Sequence, residues 1–206
     1  LSQLTEILEK YGIYQQLSGS AKVVTLANFH PVSLLDELDR EIVWRQDRIK
    51  IFGRTNPLPR LTAYYGDPGT AYKYSGIVNE PEPWTPTLLT LRKSLRDALG
   101  ADFNAVLVNR YADGSQHMGY HADDEPELGP SPLIASLSFG ATRRFLVKSC
   151  DGRERFALDL EDRSLLIMAG SFQHDYRHAL AKTKRQVGLR INLTFRQVLV
   201  PRAASA

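Results

Sequence analysis

From Phe103 to Arg196 the sequence breaks into six runs, "FNAVLVNRY", "LIASLSF", "TRRFLVK", "ERFALDL", "RSLLIMAG" and "GLRINLTFR", with turn signals between them. Runs this short, and this rich in Val, Ile, Leu and Phe, hide an apolar face as strands rather than helices. Such a series predicts an antiparallel sheet or barrel for the second half of the chain. The first hundred residues follow another rhythm. Leu4, Ile7, Leu8 and Tyr11 recur at helical spacing, as do Leu34, Leu35, Leu38, Ile42 and Val43 after the His30-Pro31 start signal. Gly, Pro and Tyr dominate Asn56 to Pro86, which predicts short strands and long loops. A further helix begins at Thr85-Pro86, turns Leu88, Leu91, Leu95 and Leu99 inward and stops at Gly100. The fold class is therefore α+β. At 206 residues and 43% hydrophobic, residues 1–206 make one domain, with helices and loops over 1–100 and the β core over 101–200.

Composition narrows the setting. The longest apolar runs, such as Leu165 to Ala169, are far shorter than the roughly 20 residues of a membrane span, so no membrane association is expected. The one cysteine, Cys150, has no partner for an intrachain disulfide, and no charged-then-apolar leader precedes the first predicted helix. A reducing compartment follows, cytoplasmic in a bacterium or nuclear in a eukaryote. A net charge of +3 and a pI near 9.0 are compatible with a polyanionic partner.

Within "GLRINLTFR", strand alternation puts Arg190, Asn192, Thr194 and Arg196 on one face and Leu189, Ile191, Leu193 and Phe195 on the other. The polar face either meets water at the edge of the fold or lines a pocket in which two guanidiniums receive a carboxylate ligand. Asn109 and Tyr111 repeat the device opposite Val106 and Val108. In "HMGYHADDEPE" the pair His121-Ala-Asp123 offers a nitrogen and an oxygen to adjacent positions of one metal. A distant histidine would complete a two-histidine, one-carboxylate set with open positions, as iron(II) oxygenases use. Both His174 and His178 are candidates, while His30 and His117 read as surface histidines.

The order Asn-x-Tyr, His-x-Asp-x-Glu, Ser-x-Ser-x-Gly, Tyr-x-His and Arg-x-Asn-x-Thr-x-Arg, carried by "NRYADGSQHMGYHADDE", "SPLIASLSFGATRRFLV", "HDYRHAL" and "RINLTFR", closely resembles the AlkB family of Fe(II)- and 2-oxoglutarate-dependent dioxygenases. The likeness is greatest to the branch that repairs alkylated double-stranded DNA, and it reaches upstream into "IFGR" and "YYGDPGTAYKYSG", covering roughly residues 45 to 197. It implies a double-stranded β-helix, or jelly roll, braced by the N-terminal helices. His121, Asp123 and His178 would hold iron. Asn109, Tyr111, Arg190, Asn192, Thr194 and Arg196 would hold 2-oxoglutarate, with Arg190 on its distal carboxylate, and His174 would support the site. The implied reaction consumes dioxygen and 2-oxoglutarate, yields succinate and carbon dioxide, and removes the methyl group of 1-methyladenine or 3-methylcytosine as formaldehyde.

The resemblance also organises the substrate side, and implies that residues 1–100 carry a nucleotide-recognition lid beside the bracing helices. A duplex base must be flipped to reach a buried metal. Phe52 stands where such relatives carry an apolar wedge, although an ordinary core Phe is the alternative. Tyr72, Tyr74 and Ser75 would form the base pocket, and Asp124 and Glu125 would read the positive charge of the lesion; Glu127 reads as a solvated loop acid. Phosphate contacts are expected from Arg54, Arg143, Arg144, Lys148, Arg153, Arg155, Lys182, Lys184 and Arg185. The partner expected is DNA, a duplex with a flipped methylated base, bound by a monomer. The same chemistry on RNA or protein, or a cupin-like metal-binding barrel without oxidative activity, are the competing readings. "RHALAK" lacks the proline often found after the distal histidine, and Ala122 is short for its place between two ligands. Both departures touch the mouth of the site.

Overall fold

The structure is a computed structural model that describes residues 13–17, 19–51, 54–74 and 77–199. Its elements run β1 (Ile13–Gln16), β2 (Lys22–Leu26), α1 (Leu35–Glu41), β3 (Arg48–Ile51), β4 (Arg54–Pro57), β5 (Leu61–Gly66), β6 (Tyr72–Tyr74), β7 (Ile77–Asn79) and α2 (Pro86–Leu99). After them come β8 (Ala105–Tyr111), β9 (Met118–His121), β10 (Ile134–Gly140), β11 (Arg143–Ser149), β12 (Arg155–Leu160), β13 (Ser164–Ala169), α3 (Phe172–Asp175), β14 (Tyr176–Leu180) and β15 (Arg190–Arg196). A seven-stranded sheet in the order β1-β2-β13-β10-β15-β8-β5 faces a four-stranded sheet in the order β12-β11-β14-β9, and every pairing in both is antiparallel. This is the jelly roll.

The six runs predicted as strands all form strands. The helix placed after Thr85-Pro86 also forms as expected: Thr85 Oγ1 accepts from the Leu88 N–H at 3.3 Å, and Gly100 closes the helix at φ 63°, a left-handed conformation that suits glycine. Leu88, Leu91, Leu95 and Leu99 are buried against the outer face of the large sheet, where Ile191, Leu193 and Phe195 meet Ala135, Leu137 and Phe139. Trp84 stacks on Phe195 with ring centroids 6.3 Å apart. In α1 Leu38 is fully buried, but Val43 lies past the helix end and is 75% exposed, so it does not share the packing face.

The first third differs from its expected outline of helices framing irregular segments. Three of its strands, β1, β2 and β5, belong to the large sheet, with β2 pairing β13 from Leu26↔Leu165 to Lys22↔Ala169. "KVVTL" is too short to announce itself by period, and pairing with β13 on one side and β1 on the other makes it a strand. The proposed helix at Leu4, Ile7, Leu8 and Tyr11 lies outside the described residues.

Candidate metal and co-substrate site

Between the two sheets the polar faces of β8, β10 and β15 meet β9 and β14. His121 ends β9, Asp123 follows it by two residues, and His178 stands in the middle of β14 directly opposite His121 in the strand register. One donor atom from each of the three lies within 4.8 Å of the others, and the two imidazole centroids are 4.2 Å apart. His121 Nδ1 is 2.9 Å from the Gly119 carbonyl oxygen. That contact places the proton on Nδ1 and leaves the Nε2 lone pair toward Asp123 Oδ1, 3.8 Å away.

The electrostatics suit a cation. Asp123 is 1% exposed; burial alone would raise its carboxyl, but Arg196, His178 and His121 outweigh burial and hold it down at about 2. Its Oδ2 accepts from Arg196 Nη2 at 2.9 Å, while Oδ1 is buried with no hydrogen-bond partner among the described residues. Burial, with His121 beside it, pushes His178 down to about 3, so the ring is neutral and able to ligate at physiological pH. His121 is lowered as well, first by burial. Two neutral imidazoles and one carboxylate with a free buried oxygen fit a divalent metal of the iron(II) class.

Beyond the cluster the cavity is lined by Asn109 and Tyr111 from β8, Ser136 from β10, and Arg190, Asn192, Thr194 and Arg196 from β15. The face left open by the sequence is thus a pocket wall and not a wetted edge. Arg190 is 1% exposed; its Nη2 donates to Ser138 Oγ at 2.9 Å, its Nε has no hydrogen-bond partner among the described residues, and its guanidinium sits 5.5 Å from the Tyr111 ring centroid. Burial lowers it to about 10, which still leaves it charged. A buried guanidinium with no carboxylate is costly unless an anion enters, and a dicarboxylate co-substrate is such an anion. Asn192 donates to Ser136 Oγ at 2.8 Å and to the Leu137 carbonyl at 2.9 Å, and Thr194 Oγ1 donates to Asn192 Oδ1 at 3.3 Å. These two hold the wall rigid beside Arg190.

Next in the chain after Asp123, Asp124 is exposed with Arg177 Nη2 3.6 Å from its Oδ2. Glu125 is half-buried, its Oε2 has no partner among the described residues, and burial followed by the Asp123 charge pushes its carboxyl up to about 7. Tyr72 and Tyr74 occupy β6, paired with Asn79 and Ile77 of β7. Phe52 and Ser75 lie outside the described residues; β3 and β4 pair from Arg48↔Pro57 to Ile51↔Arg54. His174 stands away from the metal cluster, with Nε2 2.5 Å from the Pro130 carbonyl oxygen.

One expected phosphate contact is corrected. Arg143 is only 2% exposed and spends its guanidinium on the carbonyls of Asp113, Gly114, Gln116 and Ala181, at 2.7 to 3.4 Å. It is a strut between two loops, buried away from the surface that DNA would meet. Arg144, Arg155, Lys182, Lys184 and Arg185 are exposed, and Lys148 lies 4.3 Å from the Tyr120 ring centroid. Arg144, Lys148 and Arg155 stand on strands β11 and β12, not in loops.

Sequence reasoning missed Gln173, which is 1% exposed and accepts the Asp123 N–H on Oε1 at 3.0 Å, tying the metal carboxylate to the helix ahead of His178. It also missed Arg60, buried beside Asn109. Neither residue has a spacing that sets it apart. The Ser-x-Ser motif was visible, and its two hydroxyls prove to be the acceptors that seat Asn192 and Arg190.

Residues 24–196 match the model of the 2OG-Fe(II) oxygenase superfamily. The mouse (Mus musculus) DNA oxidative demethylase ALKBH2 is 40% identical over 174 residues, spanning 79% of this chain and 73% of that protein. The human (Homo sapiens) ALKBH2 is 38% identical, spanning 81% and 68% respectively. The cattle (Bos taurus) alpha-ketoglutarate-dependent dioxygenase alkB homolog 3 is 37% identical over 93% of this chain and 72% of its own length. Among solved structures, OsALKBH1 superposes with a TM-score of 0.61 over 89% of this chain and 99% of that one at 21% identity, a likeness of fold.

Proposed function

This chain belongs to the AlkB family within the 2OG-Fe(II) oxygenase superfamily, as an iron(II)- and 2-oxoglutarate-dependent dioxygenase, and we propose that it demethylates N-alkylated bases in DNA. The observation that carries the substrate class is the acid pair immediately after the metal carboxylate. Asp124 and Glu125 follow Asp123 directly in the chain, and Glu125 lies near enough to feel the charges of Asp123 and Arg196. Bases methylated at adenine N1 or cytosine N3 are cations, and carboxylates beside them attract that charge and accept from the exocyclic amine. Glu125, with its carboxyl near 7 and an unpartnered buried oxygen, becomes a full acceptor when such a cation arrives.

Bound iron with 2-oxoglutarate and dioxygen supplies the oxidation that releases the N-methyl carbon as formaldehyde. His121, Asp123 and His178 hold the metal. Arg196 fixes one oxygen of Asp123, so the other faces the metal, and Gln173 fixes the Asp123 backbone. Arg190 and the Tyr111 hydroxyl take the distal carboxylate of 2-oxoglutarate, Asn109 donates beside them, and Asn192 and Thr194 hold the wall. His174 supports the 130 loop through its contact with Pro130.

On the nucleic-acid side, a monomer binds duplex DNA with the damaged base flipped. Phe52, between the paired ends Ile51 and Arg54, fills the gap, and Tyr72, Tyr74 and Ser75 receive the base. Arg54, Arg144, Lys148, Arg153, Arg155, Lys182, Lys184 and Arg185 supply the phosphate contacts. The test offers one 1-methyladenine in duplex DNA, single-stranded DNA and RNA, with wild type and Phe52→Ala, following restored adenine by mass spectrometry. Duplex repair that falls at least about tenfold in Phe52→Ala while single-strand repair holds supports the wedge. Equal loss on both strands removes the wedge, and turnover confined to RNA overturns the DNA assignment.

A further inference from the structure

Arg60 is a buried cation to which the motifs assign no role. It is 3% exposed, it immediately precedes β5, and among the described residues its one hydrogen bond runs from Nε to Asn109 Oδ1 at 2.6 Å. No carboxylate among the described residues pairs with it. A guanidinium has donors only, so the atom it meets on Asn109 is the carbonyl oxygen and the amide orientation is fixed. Asn109 lines the cavity opposite Asn192, two residues along β8 from the Tyr111↔Arg190 pair. With Oδ1 engaged, Nδ2 meets no acceptor among the described residues and is left to donate into the cavity.

We propose that Arg60 is a positioning residue for 2-oxoglutarate: its Nε–H locks the Asn109 amide with the Nδ2 donor toward the co-substrate, and its charge adds to the field that draws the dianion in. Without Arg60 the amide is free to present its carbonyl oxygen, which repels a carboxylate. The charge matters as well as the bond, because Arg60 and Arg190 are both buried, and among the described residues neither has a carboxylate partner. The inference rests on the family's assignment of 2-oxoglutarate to this cavity.

Calorimetric titration of 2-oxoglutarate into the full chain loaded with Mn(II), a redox-silent stand-in for iron, reads the effect without turnover. Arg60→Met weakens 2-oxoglutarate by about tenfold and leaves Mn(II) affinity unchanged, the size expected of a lost charge-assisted hydrogen bond. Arg60→Lys, which keeps the buried charge but not the planar Nε donor, recovers only part of that loss and carries the comparison if the Met variant does not fold. In an Asn109→Ala background the further step from Arg60→Met shrinks to about threefold or less, because the amide to be oriented is gone. Unchanged 2-oxoglutarate affinity in Arg60→Met, or an undiminished step in the Asn109→Ala background, overturns the proposal. A wild-type chain that binds Mn(II) but no 2-oxoglutarate overturns the co-substrate reading on which it rests.

Discussion

The two faces of β15 are buried alike and are chemically opposite. Ile191, Leu193 and Phe195 are fully buried against the helices, and Arg190, Asn192, Thr194 and Arg196 are 1 to 9% exposed on the cavity side. On the outer face burial is favourable in itself, at roughly 25 cal/mol per Å² of apolar surface removed from water. On the inner face burial of the same backbone opposes folding unless each polar group finds a partner. Asn192 and Thr194 find theirs inside the protein, Arg196 finds Asp123, and Arg190 finds only a hydroxyl. One face of the strand holds the fold together, and the other is built to take charged ligands.

Paired substitutions on the strand should pull the two faces apart most strongly. Phe195→Ala is expected to cost about 3–5 kcal/mol of stability by leaving a cavity under Trp84 and Phe103, with activity per folded molecule retained. Arg190→Met should do the reverse, stabilising the ligand-free protein on the order of 1 kcal/mol or more while removing its 2-oxoglutarate binding. Chemical denaturation with and without the co-substrate checks both. If Arg190→Met destabilises the empty protein, the inner face contributes to folding and the contrast fails.

Acid should sharpen the same contrast, because the inner face carries the shifted groups. His178 is depressed to about 3 from 6.5, so below 6.5 the unfolded chain takes a proton that the folded one refuses, and the metal-free protein loses stability as pH falls through that window. Glu125 is raised to about 7 from 4.5, so it takes up its proton first in the folded state and opposes that loss between 7 and 4.5. Asp123, held at about 2, adds its own loss only below 3.8. Denaturation between pH 7 and 4.5 should therefore show a steeper acid loss in Glu125→Gln than in wild type, and a shallower one in His178→Leu. Identical slopes in all three would place both groups in ordinary solvent.

The smallest effect is expected on the outside of the four-stranded sheet. Lys148 stands between Arg155 and Arg177 in the register, three cations side by side across β12, β11 and β14; Asp124 and the Tyr120 ring offset part of their repulsion, and a polyanion would offset more. Lys148→Ala should leave stability within about 0.5 kcal/mol and lower the salt dependence of DNA binding by roughly one counterion. Binding isotherms at several salt concentrations measure the slope, and no change would take this row out of the nucleic-acid surface.

The contrast also explains what was legible in the sequence. Alternation on β15 and β8 exposed both faces at once, since a strand with Arg, Asn, Thr and Arg on one side and Ile, Leu and Phe on the other declares its period. What the polar side faced was not legible, because a pocket wall and a wetted edge have the same spelling. β9 and β14, which carry two of the metal ligands, are short and mostly polar, and they were located by motif alone. The place of Arg143 is not legible because a charge inside "TRRF" looks exposed until two loops bring four carbonyls to it. Arg60 and Gln173 act through single hydrogen bonds to residues 49 and 50 positions away, a separation at which local pattern holds no information.

The central claim is that the cationic inner face exists to hold 2-oxoglutarate beside a metal that works on a methylated base. The chain should be loaded anaerobically with Fe(II) and 2-oxoglutarate, mixed with a duplex carrying one 1-methyladenine, and opened to air. Succinate, formaldehyde and restored adenine would then be counted together in wild type, His178→Ala and Arg190→Met. The account predicts equal amounts of all three products in wild type and none in either variant. Full turnover in Arg190→Met, or adenine restored without matching succinate, would contradict it.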